Sequence, residues 1–587
     1  MCGVLLIHSK KSKALDRSNC LKSASELFNR GPDFIKYNFF YNDTLFIYNS
    51  ILSITGKQKL NRSLIKSNNQ NYYTAYNGQI YNFREIYESH LKNKINFNHK
   101  SDTEILVNLY EDQAKDIPSI FNGMFSYVIL NKKEKLINIV NDSQGEKNFY
   151  YYQDQDFFII SSTINPILKY LKNYQVDYKI LKDYFFTRHF MPLENTCFKG
   201  IKLFKNSLNA TYCIKRNNLE INYYDDCLNW INEKNYSFFN SLSEASATEY
   251  LENALIAQLK LMIPEKKFGC ITSGGIDSTL QTALISKIKP SSVNLVVDHA
   301  GKDKTIKYIP QFSKYLGENI NIIKSNKNIY AKKISQCYGI VMSPLQTHDL
   351  VGRLQVSEEF KKKKCKVFFS ADGCDELFGG QQIYLKIFKN NFDYTRNISP
   401  YSSVNNLGIS FGHFSSDNYK KQLETIWKKV YKKYEYLENK ERNIQSALFL
   451  DYFIQSINVA NRSNDLISCN FSLEPRNVYI QRNIVKIIIN LPLKYKINFF
   501  SKDPNMIQKP ILKKIFLKYF DKKLILKKQG FPGYPNYAKN ILKEKEFKTI
   551  SNLLEIKKIN KKNKLSSRDL EWKLINTQLF IESLNLI

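Results

Sequence analysis

Three groups of residues in this sequence have the types and spacing to do chemistry. The first is a cysteine at position 2, in MCGVLLIHSK. Loss of the initiator methionine, which the small Cys2 side chain favours, would leave a free α-amine beside the thiol. With a reference pKa of about 7.7–8.0, that amine could act as the base of a nucleophile. On Cys2 alone the plainer reading is a small apolar start to a buried strand through Val4, Leu5, Leu6 and Ile7. The second group is ITSGGIDS, residues 271–278, between an apolar strand and a helix. Its two glycines allow a tight curve with inward-pointing N–H groups, and the helix N-terminus adds positive potential: an anion cradle for a phosphate or pyrophosphate. The Walker pattern is absent. Asp277 at the helix start could hold Mg²⁺ against phosphate oxygens. An ordinary strand-to-helix turn capped by Ser and Asp is the plainer alternative.

The third group is SADGCDELFGG, residues 370–380, a second Gly-rich turn after a strand. Ligands of open parallel sheets bind beyond the carboxyl ends of the strands. Two such turns on neighbouring strands would gather Ser273, Asp277, Asp372 and Asp375 around one site. Three carboxylates there repel one another unless a metal or a cation shares the site, and Mg-ATP meets that need.

The elements that must position these residues are legible as two patterns. Up to about residue 210, short apolar runs alternate with turns: TLFIYNSILSI, MFSYVIL, KLINIVND and FFIISS read as strands. A helix is expected around residues 24–29, stopping at Gly31-Pro32. A second begins at SDTE, where Ser101 and Glu104 have capping-box spacing. This predicts strand-rich layers with helices outside. From about residue 243 strands alternate with helices (ATEYLENALIAQLKLMI, FGCIT, IDSTLQTALISKI, SVNLVVD, KVFFSA), which argues for a parallel α/β sheet. Beyond Gly380 the pattern is mostly helical.

At 587 residues the chain is too long for one core, so two or three domains are expected. No stretch suits a membrane span or a signal peptide, and the ten cysteines include no C-x-x-C pair, so neither a zinc site nor a disulfide framework is indicated. A cytoplasmic setting fits. The net charge of +33 raises nucleic-acid binding, but the lysines are spread along the chain and the runs at 361–364 and 557–564 carry no nucleic-acid motif. Compositional bias accounts for the charge, which still favours small anionic substrates. No nucleic-acid or membrane partner is expected.

SGGIDS followed by SADGCDELFGG resembles the pyrophosphate loop and companion loop of glutamine-dependent asparagine synthetases. The resemblance extends along nearly the whole chain. Cys2-Gly3, Arg30-Gly31-Pro32-Asp33, the NGQIYN of residues 77–82, Ser101-Asp102 and the NGMF of residues 122–125 follow the order of a class II glutamine amidotransferase domain. Asp465, Glu474-Pro475-Arg476 and the KQGF of residues 528–531 echo later landmarks.

The resemblance implies an α/β protein in two domains. Residues 1–210 would form an N-terminal-nucleophile αββα sandwich with glutaminase activity. Residues 235–587 would form a Rossmann-like, parallel-sheet ATP-pyrophosphatase domain with a helical C-terminal part. It implies Cys2 as the nucleophile on the glutamine amide, Asn77 and Gly78 as oxyanion donors, and Asp102 as the holder of the glutamine α-amino group. Ammonia would pass through an interdomain tunnel to a carboxylate activated by ATP as an acyl-adenylate. There Ser273, Gly274, Gly275, Asp277, Ser278 and Ser370 would hold ATP and its pyrophosphate, and Asp277 and Asp375 the Mg²⁺. Asp372 would take a proton near the attacking nitrogen, and Lys528 would neutralise the pyrophosphate. Glutamine and a carboxylate acceptor are the implied substrates, with aspartate as the default, and a homodimer is left open.

Three departures stand out. The family's H-x-R-L-S-I, whose Arg grips the glutamine α-carboxylate, reads Asn49-Ser50-Ile51-Leu52-Ser53-Ile54; losing such a contact costs a few kcal/mol, about a hundredfold in binding. N-G-E has become N-G-Q at Gln79. R-D-x-x-G-x-K begins with Asn141 but keeps Asp142, Gly145 and Lys147. On the acceptor side, MSPLQTHDL and the sequence from Asp465 to Asn470 also drift, so a tailoring or cyclising enzyme acting on another carboxylate remains the alternative.

Overall fold

Strands buried on both faces need no hydrophobic alternation, and the N-terminal half is built from them. In Gly3–Ser9 every residue is buried. Val4 and Leu6 point into one apolar cluster, Leu5 and Ile7 into another, as the two-residue strand period requires. The cluster around Val4 and Leu6 contains residues of two six-stranded antiparallel sheets, among them Ile47, Ile160, Ala75, Val128 and Ile139. Gly3–Ser9 lies inside the first sheet, between Leu45–Ile51 and Phe157–Ser161. Tyr72–Ile80 lies in the second, beside Gly123–Asn131. Helices Arg17–Ser25 and Asn165–Leu171 cover the outer face of the first sheet, and Asp102–Glu111 that of the second. The layers therefore run αββα. The second sheet ends at the strand Asn218–Tyr223.

The structure is a computed structural model that describes residues 2–56, 62–95, 97, 100–112, 116–185, 193–299, 304–346, 349–385, 409–410, 417–526, 558–559 and 564–584. Where the sequence predicts a helix around residues 24–29, the helix runs from Arg17 to Ser25 and a separate 3₁₀ turn spans Phe28–Arg30. Asp16 sets the earlier start: its carboxylate accepts from the amides of Ser18 and Asn19 and so caps the helix. The cap at Ser101 forms as the spacing predicts, with Oγ accepting from the Glu104 amide at 3.3 Å.

The C-terminal half holds five parallel strands in the order Ile320–Ser325, Val293–His299, Phe268–Ile271, Val367–Phe369 and Glu474–Arg476. Phe268–Ile271 and Val367–Phe369 are neighbours, so the two Gly-rich turns leave the same sheet edge side by side. The fifth strand escapes the sequence reading because a three-residue Glu-Pro-Arg run has neither alternation nor length. It sits at the sheet edge, where the missing amide of Pro475 removes no ladder bond. Among the described residues no helix is long and apolar enough to cross a membrane.

The two halves meet through buried charge. Asp465, in the helix Asn461–Cys469, pairs with Arg30 at 2.8 Å and Lys147 at 3.0 Å. All three side chains are buried. Burial alone would raise the Asp465 pKa, but the two cations outweigh it and hold the carboxyl below its ordinary 3.8. Its contribution to stability is therefore present above about pH 4 and lost as the pH falls through the lower folded-state value. Asp465→Asn is expected to destabilise the fold by about 3–5 kcal/mol, because it leaves two buried cations without a counter-charge. A urea midpoint unchanged from wild type would show that the seam does not hold the halves together.

Candidate functional site

The first candidate site surrounds Cys2, at the entrance to the strand Gly3–Ser9. Its amide donates to Asn77 Oδ1 at 3.0 Å, and its carbonyl accepts from Arg30 Nε at 3.1 Å. Asn49 ties the strands together there: its Nδ2 donates to the carbonyls of Gly3 and Tyr76, and its Oδ1 accepts from the Tyr76 amide. Ser50 Oγ accepts from the Gly3 amide and donates to the Leu27 carbonyl. Asn49, in the place of the His of H-x-R, and Ser50 after it thus fix the strand start. Burial pushes the Cys2 thiol pKa up, with the Leu52 amide among the groups that oppose the shift. At Gly78 φ is +149°, and a Cβ would overlap the Met124 carbonyl oxygen, so a glycine is required for the strands to approach.

Asp102 sits at the start of its helix with both oxygens engaged. Oδ2 accepts from Tyr76 Oη at 2.8 Å, Gln79 Nε2 at 3.1 Å and the Ile80 amide at 3.1 Å; Oδ1 accepts from the Thr103 amide at 3.0 Å. Burial lifts its pKa to about 6, against the Ile80 and Tyr76 donors. Gln79, the residue that departs from N-G-E, is therefore a donor to the neighbouring carboxylate, a role an ionised Glu cannot fill. Ile51 is buried and pairs in register with Phe34.

The second candidate site is the edge of the parallel sheet. The loop after Phe268–Ile271 is folded on itself: Ser278 Oγ accepts from the Ser273 amide at 3.1 Å and lies 2.8 Å from Ser273 Oγ, which accepts from the Gly275 amide at 3.3 Å. Gly274 has φ +79°. The helix Ile276–Ile288 starts at Gly275 with no side-chain cap. Its first amides are thus left for an anion, whereas a capped structural turn would satisfy them. Gln281 locks the turns together, donating to the Ser370 carbonyl at 3.0 Å and accepting from the Val478 amide at 3.3 Å.

The two turns meet on a residue the sequence reading did not single out. Lys509 Nζ lies 2.5 Å from Asp277 Oδ2 and also pairs with Asp375 Oδ1. Lys509 precedes Pro510 at the N-cap of the helix Pro510–Phe516 with φ +54°. In a Lys-rich stretch only that position before a helix-initiating proline distinguished it. Burial opposes its charge, but Asp277 and Asp375 more than compensate, so it stays protonated. Asp277 Oδ1 is buried with no hydrogen-bond partner among the described residues. An orphaned carboxylate oxygen beside a second carboxylate and an anion cradle fits Mg²⁺ carried by a nucleotide phosphate. Among the described residues no group of three or more His, Cys, Asp or Glu converges on a metal position, so phosphate oxygens would complete the ligand set.

Removing Lys509 leaves two carboxylates facing each other. Lys509→Ala is expected to destabilise the protein by about 2 kcal/mol, less than a fully buried pair because the carboxylates are partly exposed. Added Mg²⁺ should recover part of the loss in a thermal melt. A variant that melts like wild type and ignores Mg²⁺ would contradict this reading of the pair.

Asp372 is held differently. Its carboxylate takes a two-pronged pair from Arg353, at 2.9 and 2.6 Å, and a bond from Asn464 Nδ2 at 2.9 Å. Ser370 Oγ accepts from the same Asn464 Nδ2 at 3.3 Å. Arg353 and Asn464 were not singled out from sequence, since neither falls in a Gly-rich turn. Cys2, Asn77, Gly78 and Asp102 are thus brought together in one half, and Ser273, Gly274, Gly275, Asp277, Ser278, Ser370, Asp372 and Asp375 in the other. Lys528 lies outside the described residues.

Residues 249–577 match the asparagine synthase family, and residues 1–224 match a glutamine amidotransferase domain. The chain is 24% identical over 390 residues to asparagine synthetase (glutamine-hydrolyzing) 1 of Bacillus subtilis, covering 65% of this chain and 59% of that protein. It is 24% identical over 578 residues to asparagine synthetase (glutamine-hydrolyzing) 3 of the same organism, covering 92% of this chain and 89% of that one. A protein of Gibberella zeae named amidase chry2 is 22% identical over 326 residues, covering 52% of this chain and 47% of that one. The chain spans about 60% of the length of two of its relatives, putative asparagine synthetase (glutamine-hydrolyzing) 2 of Methanocaldococcus jannaschii and asparagine synthetase 1 of Bacillus subtilis.

Proposed function

The chain belongs to the asparagine synthase family, and from that premise we propose that it is an ATP-dependent amidotransferase. It activates a carboxylate with ATP, releasing pyrophosphate, and amidates it with ammonia drawn from glutamine, leaving AMP. The observation that carries this reading is the meeting of Asp277 and Asp375, from two turns on adjacent parallel strands, on Lys509 beside an uncapped helix N-terminus. That arrangement suits the charge of a triphosphate and its metal. The Ser273–Ser278 loop and the amides that open the helix Ile276–Ile288 would bind the phosphates. Asp277 and Asp375 would hold Mg²⁺, which supplies charge neutralisation for the departing pyrophosphate.

In the N-terminal half Cys2 attacks the glutamine amide, and the Asn77 side chain with the Gly78 amide steadies the oxyanion. For Asn77 this requires its amide group to turn, since Oδ1 now accepts from the Cys2 amide. Asp102 keeps one oxygen with a single donor, enough to accept an α-ammonium. Ile51, which stands where the resemblance places the arginine for the glutamine α-carboxylate, is buried and apolar and cannot pair with it. Glutamine is accordingly a weak donor, and free ammonia a working one. Asp372 accepts a proton from the attacking nitrogen only after its pair with Arg353 opens.

Aspartate is the default acceptor. A second reading, a tailoring enzyme for another carboxylate, is favoured by the altered sequence from Asp465 to Asn470 and by a relative named as an amidase. Purified protein with Mg-ATP and ammonium, with and without aspartate, separates the two when AMP, pyrophosphate and product mass are followed. Aspartate-dependent AMP with asparagine formed supports the first. Folded, ATP-binding protein without aspartate-dependent turnover supports the second.

A further inference from the structure

Between the two candidate sites lies a small polar cavity. Glu146 and Lys147 line it from the N-terminal half, and Ser370, Asn464, Arg476 and Asn477 from the C-terminal half. The room for the centre of a water-sized sphere is about 10 Å³, enough for one molecule the size of water or ammonia. On the near side Arg476, which lines the cavity, lies over the Tyr81 ring at 5.2 Å, and the neighbouring Ile80 amide donates to Asp102. On the far side Ser370 and Asn464 lead to Asp372.

Glu146 is held there by its loop. Asp142 accepts from the amides of Gln144, Glu146 and Lys147 and curls the loop toward the C-terminal half. Asn461 Nδ2 then donates to the Gln144 carbonyl at 2.7 Å. Gln481 Nε2 donates to Glu146 Oε1 at 3.2 Å, the one side-chain hydrogen bond of Glu146 among the described residues. The other charges around it are spoken for: Lys147 and Asp465 pair with each other, as do Glu474 and Arg476. Tyr81 and Tyr452 are further titratable neighbours, and burial keeps both phenols neutral. Burial first, and then the charge of Asp142, push the Glu146 pKa up to about 8.

We propose that this cavity is a way station for ammonia, in which Glu146 as a neutral carboxylic acid donates its O–H to the nitrogen lone pair. The inference rests on the amidotransferase reading and adds to it the group that keeps the nucleophile usable. An ionised Glu146 favours ammonium as its ion partner, and ammonium has no lone pair with which to attack an acyl carbon. No bond is made or broken at Glu146, and no proton is consumed.

The test uses the full chain with Mg-ATP, acceptor and a fixed total of ammonium salt. It reads amide formed per AMP, so adenylation itself cancels, and it compares variants at each pH, so the free-ammonia fraction cancels too. Glu146→Gln keeps a donor at every pH. It is expected to match wild type below about pH 8 and to exceed it above, approaching tenfold per pH unit. Glu146→Leu removes the donor and lines the cavity with hydrocarbon, and its amide per AMP should fall severalfold at every pH while AMP formation persists through hydrolysis of the activated carboxylate. An infrared carbonyl band of a protonated carboxyl at neutral pH should be present in wild type and absent from Glu146→Gln. Identical pH profiles for wild type and Glu146→Gln, or absence of that band, overturn the proposal even if the Leu variant fails to fold. Wild-type protein that makes no AMP-linked amide with any carboxylate fails the amidotransferase reading instead, and the way station with it.

Discussion

Cys2→Ala should lose glutamine-driven amide formation by on the order of 10³-fold or more while ammonia-driven formation stays within about twofold of wild type. The asymmetry follows from where the thiol sits. Cys2 touches Asn77, Arg30 and the Leu52 amide, all in the N-terminal half. Its side chain is small and buried, so alanine fits its space with little strain. Steady-state assays with each nitrogen source give the answer, and equal loss with both would refute the nucleophile assignment. Burial raises the thiol pKa, so the glutaminase half-reaction should also gain as the pH rises toward that value.

Asp277→Asn should remove AMP formation with either nitrogen source, by on the order of 10²–10³-fold. The substitution keeps the size of the side chain and removes one of the two charges that meet at Lys509. The surviving Asp375–Lys509 pair is neutral and no longer attracts a cation. Because Asp277 lies in the first turn of its helix, the variant also tests whether the cradle alone can hold a nucleotide. ATP binding with no turnover would be consistent with a metal role. AMP formation near the wild-type rate would rule that role out.

Both predictions draw on residues that could be read from sequence, because each lies in a segment whose chemistry is local. A Gly-rich turn between a strand and a helix has its geometry set by its own residues, and the loop at Ser273 and the turn at Ser370 came out where the pattern put them. The strand-rich layers with helices outside were legible for a similar reason, since strands such as Gly3–Ser9 are apolar on both faces, while the αββα order came with the resemblance. What escaped was whatever depends on contacts distant in sequence. Lys509 reaches Asp277 across 232 residues and Arg353 reaches Asn464 across 111, and neither spacing leaves a mark in the chain. The edge strand Glu474–Arg476 exists only because Val367–Phe369 offers it a ladder. Gln79 looked like a lost acid until its amide was found donating to Asp102. The buried seam through Asp465 is likewise invisible locally, though the landmark residues Arg30, Lys147 and Asp465 were each noted apart.

That seam bears on how the halves work together. Asn464 and Asp465 are adjacent on one helix: the first binds Asp372 and Arg353, the second binds Arg30 and Lys147. Arg30 in turn donates to the Cys2 carbonyl. A single helical turn therefore touches the surroundings of both candidate sites, which suits an enzyme that makes a reactive nitrogen in one place and uses it in another.

The most direct measurement of the central claim follows one atom. Protein is given Mg-ATP, a panel of carboxylates that includes aspartate, and glutamine labelled with ¹⁵N at its side-chain amide, and the products are weighed while AMP is counted. The account predicts a product amide that carries the label, forms only with ATP, and appears in proportion to AMP. Labelled ammonia released with no labelled product and no carboxylate-dependent AMP, in protein shown to be folded, would contradict it.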